Sequence, residues 1–236
     1  MIKMKKMNGL SYIFVNIIIL ISSIYSQIIF IDDQNNYSIY KGAFESKKES
    51  DATSSRLSLG ISEIYKGKYE VGVEYVSGLD KHASNSYFDM KTKGFSFNLG
   101  YSIRDYSMIN IALIGEYKRL NLKSDFLDEY KIRTSGNMFS TGVKLYKSII
   151  QNDNYELIPF VSYNFGDYEI KMESADPAIN SFLSVHENGK SNFTHIGLGI
   201  KFDKFFIEPT IVFNENISNF HIKFGMIINK KTSTAK

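Results

Sequence analysis

Beyond residue 36, apolar and polar side chains alternate one by one through almost the whole chain. The clearest run is Lys93 to Ile103 (KGFSFNLGYSI), where Phe95, Phe97, Leu99, Tyr101 and Ile103 interleave with Ser96, Asn98, Gly100 and Ser102. Neighbouring side chains of a β-strand point to opposite faces, so a period of two marks a strand with one apolar and one polar face. The same pattern recurs around Leu57 to Ile61, Tyr69 to Tyr75, Ile109 to Tyr117, Phe139 to Leu145, Leu157 to Phe165, Ile196 to Phe202, Phe205 to Phe213 and Phe220 to Ile228. Tyr37 to Phe44 is a tenth, weakly patterned candidate. No stretch in this region shows a sustained helical stripe with caps. The pattern predicts an essentially all-β chain, and 34 Phe and Tyr residues (18 and 16) agree with strand preference.

The joints set the order in which such strands lie. Lys66 to Lys68, Arg104 to Ser107, Gln151 to Asn154 and Asp203-Lys204 read as tight turns, whereas Ser77 to Thr92, Lys123 to Asn137 and Glu173 to Ser191 are long and polar. Short and long alternate until Glu215 to Asn219. In an up-and-down meander this puts short turns at one end and long loops at the other, as in transmembrane β-barrels. Rings on the apolar faces cluster near the strand ends: Tyr69, Tyr101, Tyr155, Phe202 and Phe205 towards the turns, Tyr75, Phe95, Tyr117, Phe139 and Phe213 towards the loops. Two aromatic rows suit the two interfaces of a bilayer. The expected fold is a closed antiparallel up-and-down transmembrane β-barrel of about ten strands, with eight as the alternative. A secreted β-sandwich would also alternate, but does not call for alternating loop lengths.

The first residues have a separate character. Lys3, Lys5 and Lys6 precede the apolar run Tyr12 to Ser23, and Ser26 offers a small residue for cleavage. We read 1–26 as a signal peptide, with an uncleaved helical anchor as the rival, 27–36 as a linker, 37–229 as the barrel and 230–236 as a polar tail. The net charge of +3 falls to zero without the three leading lysines (25 basic against 25 acidic residues), which does not suit nucleic-acid binding. The absence of cysteine excludes disulfides, a zinc-cysteine site and a thiol nucleophile.

A basic leader, a neutral cysteine-free body, Gly-containing amphipathic strands and the closing strand FHIKFGMII together resemble the small outer-membrane β-barrel proteins, the OmpA-like and porin-like group. Barrels of that group usually end on an aromatic residue, whereas this sequence continues from Asn229 to Lys236. The resemblance implies the outer membrane as location, its lipid bilayer as partner, extracellular loops that contact a ligand, and a monomer. It leaves three roles open: a structural or surface-interaction barrel, a small porin for ions or solutes, and a barrel enzyme acting on lipid or peptide.

Chemistry-bearing residues are sparse. Asp80-Lys81-His82 matches the Asp-x-His pair of omptin-type proteases, but no Asp-x-Asp occurs. Ser184 and His186 lie close in a loop without a third orienting group. His195 and His221 fall on lumen-facing positions, as do Arg56, Glu70, Glu74, Glu116, Lys118, Lys144, Glu156, Lys201, Glu208 and Lys223. Five acids and five bases inside a ten-stranded barrel read as an ion-pair plug, because so narrow a lumen is filled by side chains. The expectation is a non-enzymatic protein with no catalytic, cofactor-binding or metal-binding residues and no cofactor.

Overall fold

The computed structural model describes residues 35–48, 52–82, 86–103, 109–152, 155–214 and 217–230. The signal peptide and most of the linker, the tail beyond Lys230 and the turn at 104–107 lie outside them, as do residues 153–154 of the turn after Gln151. Ten long strands follow in order: β1 (Asn36–Lys48), β2 (Ala52–Tyr65), β3 (Tyr69–His82), β4 (Met90–Ile103), β5 (Asn110–Lys123), β6 (Ile132–Tyr146), β7 (Tyr155–Ser174), β8 (Val185–Phe202), β9 (Phe205–Asn214) and β10 (Ile217–Lys230). Each pairs antiparallel with the next, and β10 pairs with β1, so the sheet closes without an edge. Weakly patterned Tyr37 to Phe44 is the middle of β1, the strand that completes the ring.

Register fixes the dimensions. Crossing paired residues once round the wall, from Leu157 through Ile200, Ile207, Phe224, Gly42, Leu59, Tyr75, Phe95, Arg119 and Asn137, returns to β7 at Glu169. The return point lies twelve residues further along, which is the shear of the barrel. Ten strands with that shear tilt by about 40° and enclose a cylinder of about 10 Å radius, from strand spacings of ~4.8 Å and rises of ~3.3 Å. Each residue then climbs about 2.5 Å along the axis.

The apolar faces point outwards. Phe95, Phe97 and Leu99 are more than half exposed, and Tyr40, Leu59, Val71, Tyr163, Ile196 and Phe224 are similar. The inward positions hold Lys41, Arg56, Glu74, Lys118, Lys144 and Lys223, all buried. This polarity is the reverse of a soluble barrel and suits hydrocarbon around the wall. Cross-strand ring pairs occupy both rows: Tyr69 with Tyr101 at 5.1 Å and Tyr75 with Phe95 at 5.4 Å. Between Phe95 and Ile103 on β4 the apolar height is about 20 Å, at 2.5 Å per residue.

Two sequence expectations need correction. First, about half of the long polar stretches is strand. The connections at that end span only 83–89, 124–131 and 175–184, and β7 and β8 run 20 and 18 residues. The reason is visible in β7, where the alternation changes sign beyond Phe165. Asp167, Glu169, Lys171 and Glu173 point out while Tyr168, Ile170 and Met172 point in. There the wall stands in water and packs apolar residues inside. β5 inverts likewise, with Arg119, Asn121 and Lys123 outside and Leu120 and Leu122 inside.

Second, two short helices sit in these connections, α1 (Asp125–Glu129) and α2 (Pro177–Leu183). Ser124 and Asp176 cap them by accepting from the Leu127 and Ala178 backbone N–H groups. Two joints match the sequence reading: Asn214 and Ile217 are close in the chain, as the end of the alternation there implies, and Ile150 and Gln151 pair with Leu157 and Glu156, so the reversal after β6 is confined to the tight turn near Gln151 to Asn154. Pro209 stands where the ladder between β8 and β9 is interrupted, between the pairs Ile207–Ile200 and Thr210–Gly197, so its missing N–H leaves no gap.

Candidate functional site

The lumen is a layered core. At its centre Lys41 bridges Glu70 (3.2 Å) and Glu74 (3.0 Å). Arg56 lies between Glu45 (3.7 Å) and Asp80 (3.6 Å), Lys118 approaches Glu116 (3.6 Å), and Lys144 approaches Glu208 (3.4 Å). Lys144 also sits 3.7 Å above the Phe160 ring. Hydroxyl and amide groups join the net: Ser96 donates to Glu116, and the Asn98 and Asn219 amides donate to Glu74 and Glu45. A buried charge needs such partners, since an isolated one in a low-dielectric interior is prohibitively costly.

Apolar layers enclose this net. At the loop end Val76, Met90, Leu120, Phe126, Ile170, Met172, Phe193 and Val212 pack together, with Phe126 and Leu127 of α1 folded in as a cover. At the turn end Ala112, Ile114, Tyr146, Ile158 and Phe160 line one side, and Tyr37, Ile39, Ile64, Phe206 and Ile227 the other. Lys118, Lys144, Lys223 and His195 are at most 1% exposed, so water does not reach the central charges from either end. Lys201, 3.8 Å from Glu156 near the turn end, is partly open.

Nearly all of the sequence-derived candidates lie among the described residues. Asp80 is buried in the lumen against Arg56, away from any surface at which water activation would be useful. The His82 side chain lies outside the described residues. Ser184 ends α2, and His186 points outwards with its Nε2 2.8 Å from Glu169 Oε1. Glu169 is thus a partner of His186 that the spacing of Ser184 and His186 does not reveal. His195 on β8 and His221 on β10 are buried lumen residues separated by β9. Lys41, Glu45 and Asp80 were missed as lumen charges. Lys41 and Glu45 alternate with Tyr40, Gly42 and Phe44, and that interleaving was the available signal.

The outer wall beyond the loop-side aromatic row carries a second polar feature. The Tyr117 hydroxyl donates to Asn137 (3.2 Å), Asn137 to Glu169 (3.4 Å), and Lys171 and His186 both lie 2.8 Å from Glu169. Hydrogen bonds from Lys171 and His186 hold the Glu169 carboxyl down at about 2. A depression of about 560 Å³ adjoins this group, lined by Tyr117, Phe139, Tyr168, Gly189 and Lys190 among others.

No protein-family model matches this sequence, and comparison with characterised proteins finds no match. Solved structures do resemble it in shape. The translocator domain of the autotransporter NalP from Neisseria meningitidis aligns at 10% identity over 83% of this chain and 88% of that one, with a TM-score of 0.49. The transport unit of the autotransporter AIDA-I from Escherichia coli aligns at 11% identity over 92% and 97%, also at 0.49. The outer membrane protease OmpT from Escherichia coli aligns at 10% identity over 86% and 99%, at 0.43.

Proposed function

We propose that this chain is an exported outer-membrane barrel with a structural or surface-interaction role, standing in the membrane with its loop end outside the cell. The observation that carries this reading is the reversed polarity of the wall combined with a lumen sealed by ion pairs and apolar layers. A wall that is apolar outside needs lipid, and a sealed lumen leaves the projecting rim as the part that meets other molecules. Much of the rim is a continuation of the β-wall, so its outward side chains are set by the strand register.

The reading is non-enzymatic and monomeric. The non-enzymatic part is supported by the burial of His195 and His221 inside the lumen. The test has two parts. Membrane fractionation with surface labelling of a cysteine introduced at Ser181 should label intact cells. Labelling of a cysteine at Lys66 alone would reverse the orientation and remove the display role.

A further inference from the structure

Five cations crowd one quarter of the outer wall. Beyond the aromatic row Tyr75, Phe95 and Tyr117, the outward positions are Ser77, Leu79 and Lys81 on β3, Lys93 and Lys91 on β4, and Arg119, Asn121 and Lys123 on β5. None of the eight is acidic. The five cations are exposed, and among the described residues none of them forms an ion pair.

Register makes the crowding unfavourable on its own. Lys91 is directly opposite Lys123, Lys93 is beside Asn121, and Arg119 faces Phe95. Like charges directly opposite on one face of an antiparallel pair repel. The same level of β7 shows the contrary arrangement, with Glu169 neutralised by Lys171 and His186. The acids nearest the basic quarter, Asp89 and those of α1, lie on the connections beyond the strand ends, and Glu129 already accepts from the Tyr87 hydroxyl.

Height supplies the partner. Lys93 and Arg119 lie two residues beyond Phe95 and Tyr117, which is about 5 Å along the axis, and Lys91 and Lys123 lie about 10 to 15 Å beyond, at 2.5 Å per residue. Aromatic rows sit at the boundary between hydrocarbon and headgroups. Lys93 and Arg119 therefore stand at the level of headgroup phosphates, and Lys91 and Lys123 stand just above it, where their long flexible side chains can reach down to the same layer. We propose that Lys91, Lys93, Arg119 and Lys123, flanked by Lys81, form a binding surface for phosphate-bearing anionic lipid headgroups of the surrounding leaflet. Lipid phosphates would neutralise the Lys91–Lys123 pair and tie the wall to the leaflet. This inference rests on the membrane-barrel reading above.

The full chain is folded into phosphatidylcholine vesicles, with or without phosphatidylglycerol at one third of the lipid. Heat-modifiable migration in the neutral vesicles establishes the barrel independently; failure there would undercut the membrane reading itself. Wild type should unfold at higher urea when phosphatidylglycerol is present, and the gain should vanish in high salt. The K91Q/K93Q/R119Q/K123Q variant should lose that gain, while K66Q/K68Q/K204Q at the other end keeps it. Lys91→Glu is the second variant. It places a carboxylate opposite Lys123, so it should raise the midpoint in neutral vesicles and shrink the gain from phosphatidylglycerol. Each removed cation should weaken anionic-lipid association about fivefold, the equivalent of ~1 kcal/mol per charge. Equal gains in all variants, or no gain in wild type, would overturn the proposal. A full gain from inorganic phosphate alone would replace the lipid by a free anion.

Discussion

At the level of single residues, the chain works by giving each buried charge a partner and each outward residue a lipid or water neighbour. Lys41 is held between Glu70 and Glu74. We expect Lys41→Met to leave two buried carboxylates facing each other and to cost about 3–5 kcal/mol, whereas Lys41→Met with Glu70→Gln and Glu74→Gln should recover most of the loss. Urea titration in vesicles checks this, and equal destabilisation by both variants would contradict the paired arrangement. On the other face, Leu99 is 60% exposed near mid-strand. Leu99→Arg should cost about 2–4 kcal/mol, as arginine does near a bilayer midplane, while Leu99→Phe should be tolerated. At Gly94 the constraint is space: a Cβ there would come within 2.0 Å of the Arg119 carbonyl oxygen. Gly94→Ala should therefore separate β4 from β5 locally and lower the folded fraction. The face of nearly every residue named here was legible from alternation. Lys41 and Glu45 escaped because β1 mixes Ser38, Gly42 and Ser46 into its outward positions and so blurs the contrast.

For the strands and their connections, legibility depended on solvent. Where lipid surrounds the wall, alternation is strong and strand positions were evident, as in β4. Where the wall rises into water, outward charges beside a few inward apolar residues resemble polar loop, so the sequence reading takes Glu173 to Ser191, including the start of β8, as a long connection and leaves 166–172 of β7 unassigned. The inversion beyond Phe165 is a sequence signal, since Tyr168, Ile170 and Met172 keep the period of two with the opposite sign. The α1 and α2 caps were also present in the sequence, as Ser124 and as Asp176-Pro177, but each helix is too short to show a stripe. A protease prediction follows from the strand assignment. Lys190 is paired with Asp167 inside the β7–β8 ladder, so trypsin added to intact cells should leave it uncut. Chymotrypsin should cut in the connection 175–184, the longest at that end. A tryptic cut at Lys190 in folded protein would mean that the β7–β8 hairpin is not formed.

In the whole molecule, a closed ring with a packed interior should behave as a plug rather than a pore. Planar bilayers containing folded protein should show no steady single-channel steps, because the central ion pairs are sheathed by apolar layers at both ends. Regular conductance steps would favour the porin alternative. The sign change in side-chain polarity falls at nearly one height round the loop side, just past Tyr75, Phe95, Tyr117 and Phe165, and it acts as a waterline painted on the hull. Sinking by two residues would drag Lys93 and Arg119 into hydrocarbon, and rising by two would lift an aromatic row into water. The vessel therefore floats at one draught, and the surrounding lipid must stretch or compress to meet it. With a freeboard-to-keel apolar height of about 20 Å against a usual hydrocarbon thickness of ~30 Å, thin bilayers are its natural harbour. Insertion should run to higher yield in dilauroyl than in dioleoyl phosphatidylcholine.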